Sequence, residues 1–262
     1  MNKLRPIIIT RPLAQAAVLA EKVSARGGEP VIFPLLDILP LADTAELQAT
    51  LAQLNRFALV TFVSPNAIDA AFHYITQWPS AVAIGIVGEG SRVALQRHGV
   101  SSDNATIFSP PDAAKTDSEG LLQALDLPAL SGRRVLIVRG ESGRELLADS
   151  LRDAGVDVWS LAAYRRLPPT LTPAVAARLQ ELMNSQNDWI ITSSEALKIL
   201  IQMVQALDNT AGNGTGVVKI QQKNLLVPHA RIADTAHALG FTAVTLTGSG
   251  DERLLDALQF QL

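Results

Sequence analysis

Residues Val135–Tyr164, VLIVRGESGRELLADSLRDAGVDVWSLAAY, hold one complete structural unit. Val135–Val138 is an unbroken apolar run, so a strand here must be covered on both faces, as in a parallel sheet. The turn Arg139-Gly140-Glu141-Ser142-Gly143-Arg144 interrupts it. Helical spacing of apolar residues follows, with Leu146, Leu147 and Leu151 on one side. Ala154-Gly155 closes the helix, and a second strand leads into Ser160-Leu161-Ala162.

The same order of strand, turn, helix, glycine and strand fills Ile7–Leu35, with Thr10-Arg11-Pro12 as its turn and Arg26-Gly27-Gly28 as its helix end. Further strand runs are Ala58–Phe62, Val82–Val87, Asp188–Ile191 and Leu225–Val227, each leading into a short polar turn and a helix-period segment. These also pair. Phe57–Phe72 (FALVTFVSPNAIDAAF) matches Asp188–Leu200 (DWIITSSEALKIL), and Val82–Val100 (VAIGIVGEGSRVALQRHGV) matches Leu225–Phe241 (LLVPHARIADTAHALGF). The two sets are permuted: the middle of the chain holds one complete set, and the other is split between the N-terminal segment and the last third. A chain that begins one domain, leaves to build a second and returns produces this order. The expectation is two flavodoxin- or Rossmann-like parallel α/β lobes, a discontinuous one from 1–36 plus 168–262 and a continuous one from 40–162. Linker strands at 35–41 and 161–169 would join them, with an active-site cleft between the lobes. Ala206–Lys219, rich in glycine and asparagine, reads as a loose surface loop.

In open α/β sheets ligands bind where the strands end at their carboxyl side. The turns there are Thr10-Arg11-Pro12, Ser64-Pro65-Asn66, Gly88-Glu89-Gly90-Ser91-Arg92, Arg139–Arg144, Thr192-Ser193-Ser194-Glu195 and Pro228-His229-Ala230-Arg231. Much of this is ordinary helix-start chemistry. Thr10-x-Pro12 and Ser64-Pro65 pair a capping hydroxyl with an early proline, and Ser142-x-x-Glu145 and Thr192-x-x-Glu195 have capping-box spacing. Yet the turns also gather Arg11, Arg92, Arg139, Arg144 and Arg231 beside helix N-termini, whose amides and dipole favour anions. Either the arginines serve a multiply anionic small molecule, or they pair with carboxylates such as Glu89 and Glu141.

Composition narrows the chemistry. Hydrophobic residues make up 48% of 262, enough for a sizeable core. The net charge is −3 with no basic tract, which argues against nucleic acid. There is no cysteine, so disulfides and thiolate chemistry are excluded. His229 and His237 stand eight apart without a carboxylate at ligand spacing, so no metal is expected. Gly88-x-Gly90 follows a strand, but Val93 holds the third glycine position of a dinucleotide fingerprint. Met1–Arg11 lacks the apolar length of a signal peptide, and no stretch is long enough for a membrane helix, so a cytoplasmic protein is expected.

The motifs resemble those of the uroporphyrinogen-III synthase family along essentially the whole chain. The most specific part is Leu136–Leu151 with Ala154–Val158 and Ala163-Tyr164-Arg165, supported by Ile9–Pro12, Phe62–Ala67, Ile86–Gly88 and Ile191–Ser193. The resemblance implies a cofactor-free lyase. It would close linear hydroxymethylbilane into uroporphyrinogen III, losing water and inverting ring D, in the pathway to haem, sirohaem and cobalamin. A monomer is implied. It also implies that Tyr164 helps the hydroxyl leave and that Ser64, Ser91 and Ser193 line the site. Arg11, Arg139, Gly140, Gly143, Arg144 and Arg231 complete the expected substrate contacts. Two departures stand out: Val63-Ser64 replaces a Thr-Ser pair, and Ile232 occupies the hydroxyl position of a Gly-Pro-x-Thr turn, leaving Arg231 or a backbone amide to substitute. The rival reading is a two-lobed small-molecule-binding protein of the periplasmic or repressor-core type, and a nucleotide-dependent oxidoreductase is a more distant one.

Overall fold

The computed structural model describes residues 5–112, 117–211 and 214–258. It divides into two compact units, one formed by Met1–Asp37 with Leu167–Leu262 and the other by Ile38–Arg166. In chain order the first unit opens with β1 (Ile7–Ile9), α1 (Leu13–Ala25) and β2 (Pro30–Ile32). The chain then builds β3 (Asp37–Leu39), α2 (Ala45–Leu51), β4 (Leu59–Phe62), α3 (Pro65–Phe72), β5 (Ala83–Ile86), α4 (Glu89–Arg97) and β6 (Ile107–Phe108). After these come α5 (Ser118–Ala124), α6 (Leu127–Leu130), β7 (Arg134–Gly140), α7 (Leu146–Asp153) and β8 (Asp157–Leu167). It returns through α8 (Pro173–Asn184), β9 (Asp188–Ile190), α9 (Ser194–Ala211), α10 (Gly216–Gln221), β10 (Asn224–Val227), α11 (Ala230–Ala238), β11 (Ala243–Leu246) and α12 (Asp251–Ala257).

Two sheets result, with strand orders β11-β10-β9-β1-β2 and β3-β8-β7-β4-β5-β6. β1 pairs in parallel with β2 and β9, whereas β4 pairs in parallel with β5 and β7 in the other sheet. The segments expected as linker strands contain β3 and the second half of β8, which are neighbours in the six-stranded sheet.

Strand alternation assigns each residue to one side of its sheet. In the first unit Ile8, Trp189, Ile191, Leu225 and Val227 face α8, α9, α10 and α11. Ile7, Ile9, Ile190 and Leu226 face α1 and α12. In the second, Val60, Phe62, Leu136 and Val138 face α2, α3 and α4, while Leu59, Val135 and Ile137 face α5 and α7. Both sheets are thus covered on both faces, which is why their strands read as continuous apolar runs. β4 and β5 approach so closely that a Cβ on Gly85 would meet Thr61 Cγ2 at 2.8 Å.

The loop expected at Ala206–Lys219 is not one. α9 continues to Ala211 because Met203, Val204 and Leu207 extend its buried stripe, and α10 begins at Gly216. The Asp208 carboxylate accepts from Gly216 N at 2.9 Å and Val217 N at 3.2 Å, so it satisfies the amides that start α10. Residues 212 and 213 lie outside the described residues.

Trp189 is the largest fully buried side chain of the first unit. Its indole N–H donates to Asn187 Oδ1 at 2.7 Å, and its ring meets Phe33 edge-on at 6.2 Å. Trp189→Ala should cost about 3–5 kcal/mol in urea unfolding. A loss below about 1 kcal/mol would show that α8 and α9 are not anchored through this ring.

Candidate functional site

Tyr164 of β8 has beside it Ser64, just past the carboxyl end of β4, and Gly140, at the carboxyl end of β7. Val60 and Phe62 point to one face of β4, and Ser64 continues that face two residues on. Leu136 and Val138 do the same on β7, and Gly140 continues theirs. On β8 simple alternation would send Tyr164 to the side opposite Leu161 and Ala163. A bulge prevents this. Arg139 pairs with Ala162 but Gly140 pairs with Tyr164, so Ala163 is an extra residue on β8. Leu161, Ala163 and Tyr164 consequently share one hydrophobic cluster.

Tyr164 is 5% exposed. Its hydroxyl lies 3.0 Å from Ser64 Oγ, either atom being able to donate. Ser64 is also the N-cap of α3, accepting from Ala67 N at 3.2 Å, with Pro65 in the first turn. A Cβ on Gly140 would come within 3.1 Å of Tyr164 Cζ. Glu141 N donates to Tyr164 O at 2.9 Å, closing the ladder beyond the bulge.

The turn after β7 is braced by ion pairs. Arg139 lies on the opposite face of β7, its side chain 9% exposed, and donates to Glu145 Oε1 at 2.6 Å. Gly143, at φ +154°, leaves room for that guanidinium: a Cβ there would meet Arg139 Nη2 at 3.0 Å. Arg166 donates to Ser142 O at 2.9 Å, and Arg144 pairs with Glu119 of α5 at 2.8 Å. The capping box read at Ser142 and Glu145 does not form. Glu145 is itself the N-cap residue of α7 without a side-chain cap bond, because its carboxylate is taken by a buried arginine, a stronger charge-assisted bond.

At the end of β5, Gly88 precedes α4 and Ser91 is buried in its first turn. Arg92 donates to Ser109 Oγ at 2.7 Å and pairs with Glu89 at 3.4 Å. A cavity of about 200 Å³ opens here, lined by Gly88, Glu89, Arg92, Ser109 and residues 110–112.

In the first unit Arg11 donates to Asp251 Oδ1 at 2.6 Å, and Lys22 reaches the other oxygen at 2.9 Å. Thr10 does not cap α1: its hydroxyl donates to Ile190 O at 2.7 Å and so ties β1 to β9, while Pro12 stands at the cap without a side-chain bond. The helix start read at Thr192 falls one residue later, where Ser193 Oγ accepts from Ala196 N at 3.0 Å. Arg231 is exposed in the first turn of α11, and Ile232 is fully buried. His229 stands at the N-cap of α11 with Ser249 Oγ 3.4 Å from its Nδ1.

The expected site residues therefore form two groups. Ser64 and Gly140 each stand against Tyr164, and Arg139 lies against Gly143; Ser91 and Arg144 belong to the same unit but to other contacts. Arg11, Ser193 and Arg231 belong to the first unit. Sequence reading did not pair the arginines with Glu145, Glu119 and Asp251, the acidic partners of three of them, and took Glu145 for a cap. The residues named as partners were Glu89 and Glu141, of which Glu89 pairs with Arg92. Arg144 and Arg11 find theirs 25 and 240 residues away, a separation that carries no local signal. Among the described residues no group of three or more His, Asp or Glu is arranged to hold a metal ion, and no helix is long and apolar enough to cross a membrane.

The family model described as uroporphyrinogen-III synthase HemD matches residues 17–249. A uroporphyrinogen-III synthase of Salmonella typhimurium is 30% identical over 258 residues, covering 97% of this chain and 99% of the relative. That of Escherichia coli K12 is 28% identical over 258 residues, with the same coverage. Among solved structures, the uroporphyrinogen-III synthetase of Helicobacter pylori superposes with a TM-score of 0.62 at 14% identity over 97% of each chain. A mutant uroporphyrinogen III synthase of Thermus thermophilus gives 0.59 at 17% identity, covering 97% of this chain and 96% of the other. At these identities the structural likeness is one of fold.

Burial pushes the Asp251 carboxyl up, but Arg11 and Lys22 outweigh it and hold the group below the ordinary aspartate range. A depressed native value gives stability that is present above about pH 4, the unfolded value, and is lost as pH falls through the folded one. Asp251→Asn should therefore destabilise the protein by about 1–2 kcal/mol at pH 7. The deficit should shrink toward pH 3 in parallel urea titrations. An equal deficit at both pH values would contradict the ion-pair account.

Proposed function

The chain belongs to the uroporphyrinogen-III synthase family, and from that premise we propose that it converts hydroxymethylbilane to uroporphyrinogen III as a lyase. Loss of the terminal hydroxyl as water gives an azafulvene cation. The last ring then attacks through its substituted carbon to form a spiro intermediate, and fragmentation and recombination close the macrocycle with ring D inverted. Family membership favours this over a two-lobed binding protein. We further take it to act as a cytoplasmic monomer without a cofactor.

The observation that carries the mechanistic reading is the Tyr164 hydroxyl, held 3.0 Å from Ser64 at the carboxyl edge of its sheet. If Ser64 is the donor in that bond, the phenol proton remains for the departing hydroxyl. Little else in the way of acid–base chemistry is required, since choosing the substituted carbon over its free neighbour is a matter of holding the substrate in one geometry.

Substrate carboxylates are assigned to the strand-end turns. Ser64, Ser91, Gly140, Gly143 and Ser193 stand beside helix N-termini or a glycine turn, where backbone amides favour anions. Arg231 adds an exposed cation. Arg11, Arg139 and Arg144 already hold Asp251, Glu145 and Glu119, so a substrate carboxylate has to compete with a built-in one. Their contribution to affinity is correspondingly small.

Chromatography of the products from hydroxymethylbilane tests the activity: the inverted isomer should dominate, and only the uninverted, spontaneous isomer would refute it. Tyr164→Phe tests the assigned role. It should raise the barrier by about 1–3 kcal/mol, roughly fivefold to more than a hundredfold in kcat, in a protein that still folds. Wild-type kinetics would reduce Tyr164 to a packing residue.

A further inference from the structure

We propose that Gly140 and Ser64 are positioning residues of Tyr164, the bare backbone of one and the hydroxyl of the other fixing where the phenol stands. The proposal rests on the catalytic reading of Tyr164 given above, but its geometry stands apart from it. The Ala163 bulge turns Tyr164 onto the face shared by Leu161 and Ala163, directly opposite Gly140 in the β7–β8 ladder. On that face the ring stands beside Gly140 and its hydroxyl beside Ser64. An added Cβ at Gly140 would lie 3.1 Å from Cζ, 3.2 Å from Cε2 and 3.4 Å from the hydroxyl oxygen. The two ring-carbon distances are tight for a methyl group, so the ring would have to give by a few tenths of an ångström. Gly140 shows no positive φ, so its backbone is open to other residues and clearance for the ring is what a side chain would remove.

Ser64 supplies the opposing constraint. Its oxygen is fixed by the Ala67 amide of α3, and it meets the phenol at 3.0 Å. A ring displaced by a methyl at position 140 loses that distance, because Ser64 cannot follow without giving up its cap. Gly140→Ala keeps the backbone amides offered to the substrate, so the change acts on the reaction through the tyrosine and should appear in turnover rather than in binding.

A double-mutant cycle combined with tyrosine spectroscopy tests this. Gly140→Ala should lower kcat about tenfold, with KM within about twofold, since small displacements of a reacting group are costly. In a Tyr164→Phe background, where the ring remains but the hydroxyl is gone, the same change should alter kcat by less than about twofold. With Tyr74→Phe leaving Tyr164 as the sole tyrosine, resonance Raman bands of the phenol should shift in Gly140→Ala and in Ser64→Ala and stay in place in Ser64→Thr. An equal loss of kcat in both backgrounds, or unshifted phenol bands in Gly140→Ala, overturns the proposal. If Tyr164→Phe itself turns over at the wild-type rate, the catalytic reading fails, and the Raman shift alone decides the positioning. If Gly140→Ala does not fold, the Ser64 pair decides: bands shifted with alanine and unshifted with threonine support the proposal, and bands unchanged with alanine overturn it.

Discussion

Parallel strands in register bring their carboxyl ends to one edge, and this requirement organises everything else in each unit. The connecting helices must cross back over a face, so both faces are buried and the strands become continuous apolar runs. The turns from strand to helix then collect at one edge, where helix amides point outward. Polar chemistry has no other place in such a layer: Thr61, fully buried within β4, spends its hydroxyl on Leu136 O at 3.4 Å. Ser64, two residues past the end of that strand, combines a helix cap with a bond to Tyr164.

One departure from perfect register places the Tyr164 phenol. Were the ladder to run on without the bulge, Ala163 would pair with Gly140 and Tyr164 would lie on the face of Val135 and Ile137, beneath α5 and α7 and away from Ser64. With it, the phenol joins the α3 side of the sheet at its edge. The opposite face uses the same strand end differently. Arg139, one residue before Gly140, turns toward α7 and ties down the following turn through Glu145. Thus the Arg139-Gly140 dipeptide serves two faces: the arginine holds the loop, and the glycine leaves space for the ring.

Much of this was legible in the sequence because the signals are local. Apolar runs gave β1, β4, β5, β7, β9 and β10, and the permuted pairing of Ile7–Leu35 with Val135–Tyr164 pointed to two parallel sheets. Ser64-Pro65 read correctly as a helix start. The failures are equally physical. Thr10 and Ser142 had capping spacing, but Thr10 found a carbonyl of β9, and the box partner of Ser142, Glu145, was taken by Arg139. Asp208 turned an apparent loop into a helix junction by accepting amide bonds from residues eight and nine positions ahead. A one-residue bulge leaves no mark in Leu161-Ala162-Ala163-Tyr164, since alanine suits either face. The tyrosine could be named from the family's motif, but its orientation needed the ladder.

In the proposed reaction the Tyr164 phenol acts on the departing hydroxyl rather than on folding or binding. Its most direct test is leaving-group rescue in single-turnover kinetics. A bilane whose terminal hydroxyl is replaced by acetoxy needs no proton to depart. With that substrate the rate difference between the wild-type protein and Tyr164→Phe should collapse toward unity, while with hydroxymethylbilane it should remain. An undiminished difference with the acetoxy substrate would contradict the account and return Tyr164 to the role of a buried packing residue.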